Sequence, residues 1–280
     1  MLNKQVILLV GAARHSTNLI ANLLNVDGSY EDSVEPFRLR GEAGMFSFAR
    51  WKYILSHDHD PKLLKLAEDI LTGAVENLSA EQDHASRVGL LVQELRAHLW
   101  LGWLRANFPE VRIVLLFRHP LAVISSRVTF EWRSYLSQTL SQAELLADHL
   151  AEFRSCIEGA RTDLERHTVA WCIQHYVALR QFTRGEIHLA FFENLVRQPE
   201  ELQRLFLFVG RPFDHHMSLA TQRLLSAKSI DNGVSHAWRK HLSSDDVERA
   251  NTILCLFGLD RIYGDREIAD VSAAEDIMRN

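Results

Sequence analysis

The sequence predicts an α/β fold, on three observations. Apolar runs of strand length cover residues 4–10, 88–93, 111–117 and 187–192. Segments with apolar residues at helical spacing separate these runs, and two of the runs lead directly into a helix start. The length of 280 residues is large for an average domain but ordinary for an α/β fold, so we expect one domain spanning residues 1–280.

The first strand and the helix after it form the unit around which the chain is organised. Residues 4–25 read KQVILLVGAARHSTNLIANLLN, where the apolar run ends at Gly11 and helical spacing follows. Such a loop points the unpaired N–H groups of the first helical turn, and the positive end of the helix dipole, at one place. Side-chain donors are added by Arg14, Ser16, Thr17 and Asn18. We therefore expect a phosphate group to bind here.

Two common phosphate loops do not match this segment. A nucleoside triphosphatase loop reads GxxxxGK[ST], but the GK[ST] positions are held here by Ser16, Thr17 and Asn18, so the lysine is absent. This disfavours a nucleotide kinase. The dinucleotide pattern GxGxxG is also absent, because Gly11 is the only glycine of the loop. An ordinary strand–helix turn is the remaining alternative for this segment.

The loop resembles the 5′-phosphosulfate loop of the sulfotransferase family, usually written GxxRSGTT. Arg14 follows Gly11 by three positions, as the family's basic residue does, whereas His15, Ser16 and Asn18 replace the family's serine, glycine and second hydroxyl residue. The resemblance implies a catalytic role for Arg14 beside the sulfuryl group. It implies that the phosphosulfate is held by Gly11, Ala12, Ala13, Arg14, His15, Ser16, Thr17 and Asn18.

A second strand–helix junction carries the next motif. In VRIVLLFRHPLAVISSRV, Val111 to Phe117 predicts a strand and Pro120 opens a helix. Arg118 and Ser126, eight residues apart, have the spacing of the sulfotransferase pair that holds the cofactor's 3′-phosphate. A guanidinium fork and a hydroxyl on one helix face suit a phosphate. The alternative is a capped helix with a surface arginine.

The segment at residues 26–44 is polar and rich in turn formers, so we interpret it as a loop. Family resemblance implies that Glu35, followed by Pro36, is the catalytic base, with Arg38 keeping it ionised. The other candidates for the base are Asp32 and His15. The alternative role of Glu35 is an ion pair with Arg38 or Arg40 that orders the loop.

Towards the C-terminus, three further features are expected. Ile187 to Phe192 predicts a strand, and Glu193 and Leu195 after it match a sulfotransferase segment that supports the fold. Trp238 and Arg239 resemble a family W[RK] pair, preceded by a loop over the 3′-phosphate. This resemblance adds three candidate cofactor residues, each of which has the alternative of an ordinary surface position: Lys228, Ser229 and Arg239. Ser243 and Ser244 are expected to cap a last helix that ends near Gly258.

The net charge, the length of the apolar runs and the cysteines indicate which kinds of partner and which cellular compartment to expect. The formal charge of −5 argues against general nucleic-acid binding. No apolar run is long enough for a membrane span. Cys156, Cys172 and Cys255 are widely spaced, which favours reduced core thiols and a cytoplasmic protein over disulfides or a metal site. The HDHD segment at 57–60 is interpreted as a loop before Pro61, so no metal is expected.

Taken together, the motifs resemble those of sulfotransferases from about residue 4 to residue 263. The resemblance implies a three-layer α/β/α fold with a mostly parallel sheet. It implies in-line transfer of a sulfuryl group from 3′-phosphoadenosine-5′-phosphosulfate (PAPS) to the hydroxyl or amine of a small-molecule or carrier-bound acceptor, leaving 3′-phosphoadenosine-5′-phosphate (PAP). One departure is Gln93, where many relatives carry a lysine. The alternatives are a non-catalytic nucleotide-binding protein of the same fold and a P-loop nucleotide kinase.

Overall fold

The computed structural model describes residues 2, 4–38, 48, 51–74, 87–134, 136–227, 237–264 and 266–279. The strands are β1 (Gln5–Gly11), β2 (Tyr30–Val34), β3 (Gly89–Glu94), β4 (Arg112–Phe117) and β5 (His188–Phe191). The α-helices are α1 (Thr17–Leu24), α2 (Pro61–Leu71), α3 (Leu101–Asn107), α4 (Pro120–Thr129), α5 (Leu136–Leu140), α6 (Ala143–Leu145), α7 (Arg154–Gly159), α8 (Asp163–Arg180), α9 (Phe192–Arg197), α10 (Pro199–Phe208), α11 (His215–Ala227), α12 (Ser244–Leu256), α13 (Asp260–Tyr263) and α14 (Val271–Glu275). Short 3-10 turns at Ala97–Leu99 and Ala237–Lys240 precede α3 and α12.

The five strands form one parallel sheet in the order β2-β3-β1-β4-β5. β1 lies in the middle, with Val10 opposite Glu94 of β3 and Gly11 opposite Leu116 of β4. The carboxyl ends of these three strands therefore meet at one edge, where α/β proteins bind ligands.

Helices cover both faces of the sheet. One face packs on residues of α2, α3, α8 and α12, and the opposite face packs on residues of α1 and α10. Both faces of β1 are buried from Val6 to Val10, which explains why this part of its sequence is continuously apolar rather than alternating. The fold class is therefore the α/β/α sandwich with a parallel sheet that was predicted.

The interpretation of residues 26–44 as a loop was wrong for Tyr30–Val34, which form β2. This strand lies at the edge of the sheet and is short. Tyr30 and Ser33 are buried, whereas Asp32 and Val34 are exposed. Because such an edge strand keeps polar side chains in water, its composition resembles that of a turn-rich loop.

Prolines begin three helices, as expected. Pro61, Pro120 and Pro199 each stand in the first turn, where a missing N–H costs nothing. The HDHD segment supplies the cap of α2, since Oδ1 of Asp60 accepts a hydrogen bond of 2.8 Å from the amide of Lys62. Residues 51–60 are not helical, which agrees with the interpretation of the HDHD segment at 57–60 as a loop.

The C-terminal helix cap is confirmed, but that helix is not the last. Ser243 and Asp246 form a reciprocal capping box at the start of α12. Gly258, with φ of 67°, follows the end of that helix. α13 and α14 come after it, and the segment between them is tied to α9, where the side chain of Asn194 exchanges two hydrogen bonds with the backbone of Ala269.

Candidate functional site

The loop between β1 and α1 depends on a glycine and on two residues with left-handed backbone. A Cβ at Gly11 would lie 2.9 Å from Oγ1 of Thr17 and 3.2 Å from Cβ of Leu116, so α1 and β4 approach too closely for a side chain. Arg14 and Ser16 have φ of 76° and 64°, a region that L-residues seldom adopt. Alternation of this kind turns successive N–H groups to one side, which favours an anion.

The first turn of α1 keeps donors available. Ser16 is the N-cap, and its side chain makes no capping hydrogen bond. Its carbonyl accepts from the amides of Leu19 and Ile20 at 3.0 and 3.3 Å. Within the described part of the chain, the amides of Thr17 and Asn18 donate no hydrogen bond. They are therefore available to a phosphate at the helix N-terminus.

The two predicted phosphate motifs form one connected cluster. Nε of Arg14 donates a 2.7 Å hydrogen bond to Oγ of Ser126. Nη1 of Arg118 lies 2.8 Å from the carbonyl oxygen of Arg14 and 3.3 Å from Oγ of Ser16. Arg118 also lies over the ring of Phe192, 5.1 Å from its centroid. Two guanidinium groups thus converge on the loop.

A buried polar layer supports the loop from the α8 face. His15 is fully buried, and its Nδ1 lies 3.0 Å from the carbonyl oxygen of Leu116. Its ring stacks on His175 of α8 with centroids 5.0 Å apart. Nη2 of Arg127 donates to the carbonyl of Ala13 at 3.3 Å. Burial lowers the pKa of His15 well below its ordinary value, and His175 and Arg127 lower it further, so this imidazole is neutral at physiological pH.

The predicted base stands at the carboxyl end of β2. Glu35 has φ of 48°, and its amide donates to the carbonyl of Gln93 at 2.8 Å, so the backbone turns away from the sheet here. Oε2 of Glu35 lies 2.8 Å from Nη2 of Arg96. The cation that pairs with Glu35 is therefore Arg96 and not Arg38, whose side chain is exposed. Arg40 lies outside the described residues.

A second carboxyl group lies beside this pair. Glu94 ends β3 and is completely buried. Its Oε1 accepts from the amides of Leu95 and Arg96 at 2.8 and 2.9 Å. Burial raises the pKa of Glu94 to about 7, partly offset by Arg96 and the two amides, and Glu35 raises it slightly.

A third carboxyl group ties the second motif to the C-terminal helices. Oε1 of Glu193 accepts from the amide of His119 at 3.0 Å, and Oε2 accepts from the hydroxyl of Tyr263 at 2.9 Å. The ring of His119 also stacks on Trp238, with centroids 5.5 Å apart. These contacts fix the backbone next to Arg118, which agrees with the structural role predicted for Glu193.

The structure brings together the predicted residues of the loop and of the second motif. Other predicted site residues are exposed or lie outside the described part of the chain. Asn18 is exposed. Arg239 is exposed and lies over the ring of Trp238 at 4.5 Å from its centroid. Lys228 and Ser229 lie outside the described residues. The other base candidates point elsewhere: His15 is part of the buried layer, and Asp32 accepts from Nδ2 of Asn25 at 2.8 Å.

Sequence reasoning did not find Arg96, Glu94 or Arg127. The only available signal for Arg96 and Glu94 was their position at the carboxyl end of a predicted strand. Arg127 directly follows Ser126, and nothing in its local pattern shows that a buried guanidinium faces the loop. In the described ranges, no group of three or more His, Cys, Asp or Glu residues is arranged to hold a metal ion. The described helices also include none with the length and apolar character of a membrane span.

The fold and this site define a class of protein. A parallel α/β sheet that carries a strand–loop–helix unit at its carboxyl edge, with a second arginine just after the neighbouring strand, has the architecture of α/β domains that bind phosphate groups. The absence of lysine from the loop separates it from the nucleoside triphosphatases.

Comparison with known proteins then identifies the family. The sequence profile of the sulfotransferase family matches residues 7–215, which is most of the chain. The chain therefore belongs to the sulfotransferase family.

Individual relatives are distant. The nodulation protein NoeE of Sinorhizobium fredii is 24% identical over 279 residues, covering 90% of this chain, which spans only 63% of the length of NoeE. The sulfotransferase domain from the curacin biosynthetic pathway has 16% identity and a TM-score of 0.51, and the match covers 91% of this chain and 99% of that domain. Sulfotransferase STF9 of Mycobacterium avium has 13% identity and a TM-score of 0.48, over 90% of this chain and 75% of its own. The curacin domain supports the fold alone.

Proposed function

We propose that this protein transfers the sulfuryl group of PAPS to a hydroxyl or amine acceptor, leaving PAP. The observation that carries the proposal is the cluster that joins the two motifs: Arg14 bonds to Ser126, and Arg118 bonds to the loop backbone at Arg14. Arg14 follows β1 and Arg118 follows β4, so the two arginines lie at the same edge of the sheet. A nucleoside that carries a phosphate at its 5′ end and another at its 3′ end could therefore contact both.

The residues present fit such a ligand. The absence of a Cβ at Gly11 lets Thr17 at the start of α1 pack close to the strand and to Leu116, which sets the position of the loop that carries the donors. The amides of Thr17 and Asn18 and the guanidinium of Arg14 supply donors there, and Arg118 and Ser126 supply donors for a 3′-phosphate. Arg239 is a further candidate for that phosphate.

When bound, PAPS supplies an activated sulfuryl group with PAP as the leaving group. The chain contributes positioning and charge: Arg14 lies at the loop, where negative charge grows as the bond to the leaving oxygen breaks. Many relatives carry a lysine at the position of Gln93, and glutamine has no positive charge. Arg14 therefore takes the role of stabilising the leaving group in place of that lysine. Glu35 removes the proton of the acceptor, because an alcohol is a poor nucleophile until it is deprotonated.

The acceptor is proposed as a small or carrier-bound molecule, and the whole chain of residues 1–280 as one domain. We also propose a cytoplasmic location. Its support is that Cys156, Cys172 and Cys255 are free thiols, as expected in a reducing compartment.

Titration calorimetry with PAP and with ATP, followed by transfer of labelled sulfate from PAPS to a panel of phenols, sugars, amines and carrier-bound alcohols, tests the proposal. Micromolar binding of PAP together with label transfer is expected. If PAP binds but PAPS is neither transferred to an acceptor nor slowly hydrolysed, the result would favour a non-catalytic nucleotide-binding protein. Binding of ATP but not PAP would contradict the proposal and favour a kinase.

A further inference from the structure

The turn after β3 contains two acidic groups and one arginine whose contacts form a chain. Along β3, Leu90 and Val92 face the core that includes α8, while Leu91 faces the opposite core. Because strand side chains alternate, Glu94 continues the α8 face. There it is wholly buried at the sheet edge where the site lies.

One carboxyl oxygen of Glu94, Oε1, accepts two hydrogen bonds. Oε1 accepts the amide hydrogens of both residues that follow, Leu95 at 2.8 Å and Arg96 at 2.9 Å. A side chain that accepts the amides of positions i+1 and i+2 fixes the direction in which the chain leaves the strand. The conformation of Arg96 is therefore set by Glu94.

The guanidinium of Arg96 does not return to Glu94. It reaches Oε2 of Glu35 at 2.8 Å, and both partners of this ion pair are about four-fifths buried, with side-chain exposures of 19% and 21%. Glu35 directly follows β2, and Arg96 lies just beyond β3, so the pair joins the ends of two neighbouring strands. Through the backbone of Arg96, Glu94 thus acts on the carboxyl group that we propose as the base.

We infer that Glu94 is a positioning residue for Glu35: its Oε1 holds the Leu95–Arg96 turn so that the Arg96 guanidinium stays paired with the Glu35 carboxylate and fixes its orientation. This inference rests on the proposed function only in calling Glu35 the base. The positioning itself is a property of the chain without any ligand.

The second oxygen of Glu94 fits this role. Oε2 is buried and accepts no hydrogen bond from the described residues. Burial disfavours the charged form of a carboxyl group, and the pKa of Glu94 is raised to about 7, so the protonated form is well populated at neutral pH and predominates below it. Oε1 accepts the two amide hydrogens in either protonation state. The charged groups that act on Glu94 among the described residues are Arg96 and Glu35.

The test follows the carboxyl carbon of Glu35 by NMR in protein labelled with ¹³C-glutamate, with the signal assigned by its loss in Glu35→Gln. The midpoint of its pH titration is measured in wild type, Glu94→Leu, Arg96→Met and the double variant, without donor or acceptor. Both single changes are expected to move the midpoint to higher pH, because each removes the cation from Glu35. The double variant should move it no further than Arg96→Met alone, since both act through one contact.

Glu94→Gln is the matched control. Its amide oxygen still accepts the two backbone amides while the acidic group is lost, so the Glu35 midpoint should not rise. A rise in Glu94→Gln equal to that in Arg96→Met would overturn the inference, and this variant decides the question if Glu94→Leu does not fold. Additive shifts in the double variant would also overturn it, as would a folded Glu94→Leu with lower thermal stability and an unchanged midpoint. All of these outcomes are independent of whether the protein transfers sulfate.

Discussion

Nη1 of Arg118 donates a 2.8 Å hydrogen bond to the backbone carbonyl of Arg14. The arginine at the end of β4 therefore stabilises the loop that contains the other arginine of the site. A side chain predicted to bind one end of a nucleotide also shapes the cradle for the other end.

This double role predicts the effect of Arg118→Ala. Affinity for PAP should fall by about 1.5–3 kcal/mol, the value of a hydrogen bond to a charged partner. Affinity for adenosine 5′-phosphosulfate, which lacks the 3′-phosphate, should fall less, through the loop alone. Titration calorimetry measures both. The control is Arg112→Ala, which removes an exposed arginine from the opposite end of the same strand and should change the affinity for neither ligand. If Arg118→Ala lowers the affinity for both ligands equally, Arg118 has only a structural role.

The second prediction concerns Glu35→Gln, which keeps the shape of the side chain and removes the base. Turnover should fall by a factor of about 10²–10⁴, the usual contribution of general base catalysis, while PAP affinity stays within about threefold. Single-turnover transfer from labelled PAPS gives the rate. Asp32→Asn changes the other acidic candidate in β2, whose side chain bonds to Asn25, and should retain turnover. The base assignment fails if Glu35→Gln is folded and fully active.

Gly11→Ala tests the cradle. The added Cβ would meet Oγ1 of Thr17 at 2.9 Å and Cβ of Leu116 at 3.2 Å, so α1 must shift away from β4. We expect PAP affinity to fall at least about tenfold and stability to fall by about 1–3 kcal/mol, as for other overpacked sites. Gly159→Ala adds a Cβ with nothing within 4 Å and serves as the control in calorimetry and thermal unfolding. Unchanged binding in Gly11→Ala would refute the close approach.

Acid should destabilise the protein through its buried imidazoles. Burial, and then Arg127, lower the pKa of His98 to about 3, so the folded state excludes a proton that the unfolded chain accepts below its ordinary pKa of about 6.5. The free energy of unfolding therefore falls as the pH drops from about 6.5 towards 3. At pH 5 the cost from this one residue is about 2 kcal/mol.

His98→Leu removes that titration. Denaturant unfolding of wild type and variant at pH 7.5 and pH 5 should show a smaller loss in the variant, whatever its stability at pH 7.5. The opposing titration of Glu94 is present in both proteins and cancels in the difference. Equal losses would mean that His98 is already protonated in the folded state or accessible to water.

The parts of the fold that sequence could predict are those with local causes. Buried parallel strands are apolar throughout, and Pro61, Pro120 and Pro199 begin helices through their own geometry. The unit of β1, loop and α1 could be predicted for the same reason, since Gly11 and the residues around it lie within one short segment. β2 was missed because a short edge strand with exposed Asp32 has no such local mark.

Contacts between side chains at the ends of different strands could not be predicted from the sequence. Glu35 and Arg96 are far apart in the chain and meet only because β2 pairs with β3 in the register that puts Val34 opposite Gln93. Arg38, close by in sequence, was the natural but wrong partner. Likewise, the spacing predicted that Ser126 and Arg118 hold one phosphate, but it did not show that Oγ of Ser126 accepts a hydrogen bond from Nε of Arg14.

The central position of β1 has a consequence for synthesis. Its two neighbours in the sheet, β3 and β4, end at Glu94 and Phe117, so about a hundred residues must follow β1 out of the ribosome before both of its edges are paired. At roughly 5–20 residues per second this takes about 5–20 s. During that interval an entirely apolar strand has no sheet to join, and a nascent chain in this state is a natural client for a chaperone.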